Sequence, residues 1–106
     1  MRQITAVELN QRLQNGATPP LLLDVREPNE FSYCRIQGSV NIPMANVFAG
    51  VADLDPDRET VVICHHGMRS AQIANFLISK GFSKISNLGG GVAAWASQVD
   101  PSMPTY

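Results

Sequence analysis

Two short, unbroken apolar runs constrain this chain most: Leu21-Leu22-Leu23-Asp24-Val25 and Thr60-Val61-Val62-Ile63, each set among turn-forming residues. A half-buried strand alternates apolar and polar residues. A strand apolar at nearly every position needs cover on both faces, as in a parallel sheet. Pro19-Pro20 breaks the chain before the first run. Ser39-Val40-Asn41-Ile42, closed by Pro43, and Ser83 to Leu88 read as further strands. Helical signals lie between them. The polar start Met1-Arg2-Gln3-Ile4 reads as part of a helical pattern, and Thr5 with Glu8 has capping-box spacing. That helix carries Val7, Leu9 and Leu13 and stops at Asn15-Gly16. Glu27-Pro28 opens a helical turn through about Tyr33, with proline suited to the first position. From Ser70, the apolar positions Ile73, Ala74, Leu77 and Ile78 are helically spaced and end at Lys80-Gly81. Val92 to Ala96 reads as a short closing helix after Gly89-Gly90-Gly91. Ala45 to Glu59, interrupted by Gly50, Asp53, Asp55, Pro56 and Asp57, reads as the longest irregular stretch. Alternating strands and helices predict an α/β domain, with a mostly parallel sheet and helices on both faces.

At 106 residues the chain has room for one core, so one domain over residues 1–106 is expected, with 100–106 as a loosely held tail. A net charge of −1 gives no bulk attraction for nucleic acid or anionic lipid, so neither is expected as a partner. No apolar run approaches the ~18–20 residues that span a bilayer, and the polar N-terminus is unlike a secretion signal. Two cysteines, Cys34 and Cys64, are too few for a disulfide-built scaffold, which predicts a cytoplasmic protein with free thiols. Gly89 to Gly91 lack the Lys-Ser/Thr of a phosphate loop and the spacing of a dinucleotide fingerprint, so no cofactor is expected.

The stretch richest in chemistry is Cys64-His65-His66-Gly67-Met68-Arg69-Ser70. A cysteine leaves the carboxyl end of a buried strand, a short loop follows, and a helix begins near Ser70. Ligands of open α/β sheets bind at the carboxyl ends of strands. Successive loop N–H groups form an anion nest there, and the helix dipole adds positive potential. Such a setting favours a thiolate. Arg69 would supply fixed positive charge to an oxyanion, and Gly67 a backbone angle that other residues resist. His65 and His66 cannot both turn with Cys64 onto one ion, and no further Cys/His cluster completes a site, so no metal is expected. One of the two would instead line the pocket.

Four stretches together resemble the rhodanese (sulfurtransferase) domain family. They are Leu22-Leu23-Asp24-Val25-Arg26-Glu27 with Glu30-Phe31, Ile36-Gln37-Gly38-Ser39-Val40-Asn41-Ile42-Pro43, Val62-Ile63-Cys64 through Arg69-Ser70-Ala71, and Asn87-Leu88-Gly89-Gly90-Gly91 leading to Trp95. The resemblance implies a single domain of about five parallel strands whose Cys64 carries a sulfane sulfur as a persulfide. His65, His66, Gly67, Met68, Arg69 and Ser70 would bind the substrate, a thiosulfate-like donor. A thiol or a protein would be the acceptor. The chain departs from the family pattern at Cys34, Arg35 and Gln37, where Gly, His and Pro are common around Ile36. Two histidines inside the loop are a subgroup feature.

Two rival readings share these residues. A cysteine phosphatase or arsenate reductase uses the same thiolate and arginine, but the Cys-x5-Arg phosphatases place five residues between them. Here there are four, His65 to Met68, and Ile63 stands where those enzymes usually have histidine. A non-catalytic interaction module of this family typically lacks the cysteine. Among the remaining residues, Asp24 or Arg26 would support the loop or, with Glu27, anchor a turn near Glu30. Cys34 is expected to be incidental, Trp95 to pack in the core, and Met44, Val47 and Phe48 to wall the pocket or form a patch under the long loop.

Overall fold

The computed structural model describes all residues, Met1–Tyr106. Five strands form one sheet: β1 (Arg2–Ile4), β2 (Leu21–Asp24), β3 (Val40–Asn41), β4 (Thr60–Ile63) and β5 (Ile85–Leu88). They lie in the order β1-β5-β4-β2-β3 and every pairing is parallel. The helices are α1 (Ala6–Gln14), α2 (Pro28–Tyr33), α3 (Met44–Gly50), α4 (Met68–Ser79) and α5 (Gly91–Gln98). None is long and apolar enough to cross a membrane.

The unbroken apolar runs are explained by two cores, one on each face of the sheet. Leu22, Val61, Ile63 and Leu88 pack with Leu9 of α1 and Val92 and Trp95 of α5. Leu23, Val62 and Ile85 point the other way, onto Val47 of α3 and Ile73, Ala74 and Leu77 of α4. Successive strand residues thus face opposite cores, and only Leu21 at the start of β2 keeps part of its surface for water on these two strands.

Two expectations from the sequence are corrected. The first residues are not helical: Arg2–Ile4 pair with Ser86–Leu88 as an edge strand, and the helix begins only after the Thr5 cap. The capping box closes as expected, with Glu8 N–H on Thr5 Oγ1 and Thr5 N–H on Glu8 Oε1. The stretch after Pro43 is not irregular throughout. Met44–Gly50 is helical and Val51–Asp53 adds a 3-10 turn, because Val47 fills a place in the core beside α4.

At the carboxyl end of β2, Asp24 and Arg26 form an ion pair with no exposed side-chain surface. Arg26 Nε and Nη2 donate to both Asp24 oxygens at 2.8–3.1 Å. Nη2 also donates to the Cys34 carbonyl and Nη1 to the Tyr106 hydroxyl and, at longer range, the Glu30 carbonyl. The pair therefore ties β2 to the end of α2 and to the end of the chain, the turn-anchor role expected near Glu30. Asp24→Ala leaves a buried guanidinium without its counter-charge, which costs about 3–5 kcal/mol. Urea denaturation should show a loss of that size.

The last residues, expected to be loosely held, are mostly exposed but make contacts with the rest of the fold. Met103 is buried, and Tyr106 lies edge-on to Tyr33 and bonds to Arg26 and Glu30.

Candidate active site at the end of the fourth strand

The register sets Asp24 beside Ile63 and Asn87 beside Val62, so the chain leaving β4 passes between the ends of β2 and β5. Cys64 is the first residue beyond the strand and is 1% exposed. Its Sγ accepts the Gly67 N–H at 3.0 Å and lies 3.2 Å from Ser70 Oγ. Gly67 has φ 103, a left-handed conformation that brings its N–H back toward the sulfur as α4 begins.

Two bonds from the start of α5 hold this loop from behind. Val92 N–H donates to the Cys64 carbonyl at 2.9 Å and Ala93 N–H to the His65 carbonyl at 3.1 Å. The Cys64 and His65 carbonyls therefore face α5. The N–H groups of His65, His66, Met68, Arg69 and Ser70 donate to no acceptor within the protein. These groups lie in the loop and the first turn of α4, where the sequence predicts an anion nest.

The side chains of the loop are distributed unequally. Ser70 is fully buried and donates to Asn87 Oδ1. Met68 is 80% exposed and turned to solvent. His66 is exposed, while His65 is half-buried and stacked on the Tyr106 ring at 3.8 Å. Burial, with the neighbouring His66 charge, pushes the His65 imidazole below its usual range. No three His, Cys, Asp or Glu side chains converge as a metal site would require. Both cysteines are free. Cys34 is buried on the opposite face of the sheet, and its Sγ accepts from Arg26 Nη1.

Arg69, from which fixed positive charge for an oxyanion is expected, has a partner that the sequence did not reveal. Its guanidinium is engaged by Glu30 in a two-pronged pair, Nη1 to Oε1 at 2.8 Å and Nη2 to Oε2 at 3.0 Å. Tyr106 donates to the same Glu30 Oε2 at 2.7 Å. Arg69, and after it Tyr106, holds the Glu30 carboxyl down to about 2 from an ordinary 4.5. A depressed carboxylate contributes stability that is complete above about pH 4.5 and lost as pH falls through about 2. Glu30→Gln should therefore lower the melting temperature at pH 7, by roughly 5 °C for a part-exposed pair worth about 1 kcal/mol. Thermal melts taken down to pH 2 should show that difference shrinking away.

Sequence reasoning did not give Asn87, Gly91, Glu30 or Tyr106 a part in this site. Asn87 and the three glycines were visible only as a motif, and Gly91 is where α5 meets the loop backbone. A cavity of about 660 Å³ lies elsewhere, between Leu21, Arg35, Gln37, Arg58, Trp95 and Val99 near the amino ends of β2 and β3.

Comparison with known proteins matches this geometry to one family. The model of the rhodanese-like domain matches residues 5–98. The chain is 37% identical to the rhodanese-like/PpiC domain-containing protein 12 (chloroplastic) of Arabidopsis thaliana, over 100% of this chain but 38% of that longer protein. It is 34% identical to the thiosulfate sulfurtransferase GlpE of Pseudomonas aeruginosa, covering 91% of this chain and 84% of that one. Among solved structures, a rhodanese-related protein from Thermoplasma volcanium superposes with TM-score 0.83 at 33% identity, over 93% of this chain and 94% of the other.

Proposed function

Since this chain belongs to the rhodanese-like domain family, we propose that it is a sulfurtransferase in which Cys64 carries the sulfur as a persulfide. The observation that carries the reading is a buried sulfur at a strand end that accepts the Gly67 N–H, in a loop whose other N–H groups have no acceptor within the protein. The Cys64 thiolate attacks the outer sulfur of thiosulfate. A new S–S bond forms to Sγ, the original S–S bond breaks, and sulfite leaves with the electron pair. A thiol or cyanide then attacks the outer sulfur of the persulfide, and the Cys64 thiolate departs. Neither half-reaction needs a metal or a redox cofactor, and the covalent intermediate implies ping-pong kinetics.

The residues around Sγ act on charge. In this reading the N–H groups of His65, His66, Met68, Arg69 and Ser70 bind the donor's sulfonate and then the anionic persulfide. Arg69 contributes from its Glu30 pair, so its charge is partly offset. His65, half-buried against Tyr106, walls one side, and Met68 forms an exposed rim.

Four loop residues between Cys64 and Arg69 favour this reading over phosphate chemistry, because the ring is a residue shorter than that of the Cys-x5-Arg phosphatases. The intact mass of the protein before and after thiosulfate tests it. One sulfur should be gained and then lost on cyanide as thiocyanate. An unchanged mass, or aryl phosphate turnover as fast as sulfur transfer, would overturn it.

A further inference from the structure

Asn87 is buried, and it is bonded to both residues that contact Sγ. Its Nδ2 lies 3.2 Å from the Gly67 carbonyl and 3.2 Å from Gln3 Oε1. A carbonyl can only accept, so the amide orientation is decided: Nδ2 faces Gly67, and Oδ1 faces Ser70. Oδ1 accepts, so the Ser70 hydroxyl proton points at Asn87. A hydroxyl has one proton, and Ser70 Oγ therefore turns a lone pair toward Cys64 Sγ, 3.2 Å away. Both side chains are buried, Ser70 at 0% and Asn87 at 3%, so no water substitutes for either partner.

From this chain of bonds we infer that Asn87 is a positioning residue for Cys64, holding the Ser70 hydroxyl so that the sulfur meets a lone pair rather than a donor. A thiol suits that arrangement, because S–H donates to Ser70 Oγ. A thiolate does not. When Cys64 ionises, or when its sulfur carries a second sulfur and has no proton, Ser70 must turn its proton away from Asn87 and onto Sγ. The Ser70–Asn87 bond thus opposes the charged state, and Ser70 alone would favour it.

The neighbouring charges leave this pathway distinct. Arg69 on α4 is paired with Glu30, and Asp24 and Arg26 at the end of β2 hold one another. β4, β5, α3 and α5 carry no titratable side chain, and His65 and His66 follow Cys64 in the loop.

The inference bears on sulfur transfer through the proposed nucleophile, but its test reads only the ionisation of Cys64 and stands whether or not transfer occurs. The rate of Cys64 alkylation by iodoacetamide is followed against pH in the full chain, with Cys34→Ala as the common background. Asn87→Ala frees Ser70 to donate to the thiolate. It should move the midpoint of the profile down by roughly half a unit to one unit, a 3- to 10-fold faster alkylation below the midpoint. Asn87→Asp keeps an oxygen for Ser70 and makes it a stronger acceptor. It should move the midpoint up, and it carries the test if Asn87→Ala does not fold. Both changes are repeated with Ser70→Ala. Whatever Asn87 does through Gly67, or by charge, appears in both series and cancels in their difference. A difference of the stated sign supports the inference. Equal shifts with and without Ser70, or a difference of opposite sign, would overturn it and leave Asn87 a packing residue.

Discussion

Cys64→Ser should fold as the native chain does and take up no sulfur from thiosulfate. The folding half of this expectation rests on size and partners. Serine replaces sulfur by oxygen at a buried position, where the Gly67 N–H and Ser70 Oγ stand ready to bond a hydroxyl. No cavity large enough to matter opens and no polar group is orphaned, so the loss of stability should be about 1 kcal/mol or less. The chemical half rests on nucleophilicity. A serine hydroxyl beside no general base is scarcely ionised at neutral pH, and the covalent step should slow by more than about a thousandfold. Intact mass after thiosulfate and thiocyanate formation with cyanide measure the chemical half, and a thermal melt the folding half. Sulfur uptake undiminished in this variant would remove Cys64 from the mechanism.

The same variant decides whether Cys34 has a part. Cys34 sits in the core on the opposite face of the sheet from Cys64 and receives a contact from Arg26 Nη1. A sulfur gained by the Cys64→Ser chain would have to reside there. Its absence would leave Cys34 with the structural task visible in the fold, closing α2 against the Asp24–Arg26 pair through its backbone carbonyl.

How much of this was legible in advance follows from where each signal resides. The strands β2 and β4 were readable because both faces are covered and the runs Leu21–Leu23 and Val61–Ile63 are apolar without a break. The edge strand β1 was not, because Arg2, Gln3 and Ile4 owe their extended form to hydrogen bonds from β5 more than to a pattern of their own. α3 was obscured by the glycine at its end and the acidic residues after it, although Val47 and Met44 pack on the core and Phe48 on Phe76 of α4. In the loop, Cys64 and Gly67 were recognisable from residue type and spacing. The engagement of Arg69 was not, since Glu30 lies 39 positions earlier and only the fold brings them together. Tyr106 is further still, 76 positions from Glu30 and stacked on His65. Long-range polar pairs of this kind leave no periodicity, whereas burial does.

Gly91→Ala should be the most damaging single-methyl addition in the chain. Gly91 has φ 58, and a Cβ there would lie 2.4 Å from the carbonyl oxygens of both Cys64 and His65. Those atoms are backbone and cannot rotate aside, so α5 and the loop must separate. The bonds at stake are Val92 N–H to Cys64 and Ala93 N–H to His65, the two that turn the loop carbonyls outward. Gly16 supplies the comparison. It has φ 79, and an added Cβ would meet nothing within 4 Å. Gly16→Ala therefore reports the conformational strain alone, about 1–2 kcal/mol. Gly91→Ala adds the clash and the two lost bonds, for about 3–5 kcal/mol in all. Where enough folded protein survives, sulfur loading should fall by at least tenfold, because carbonyls released from α5 can turn toward the anion. Urea denaturation of the two variants, with intact mass after thiosulfate, separates strain from clash. Equal destabilisation with normal loading in both would mean that α5 does not hold the loop, and that the N–H groups around Cys64 keep their orientation without it.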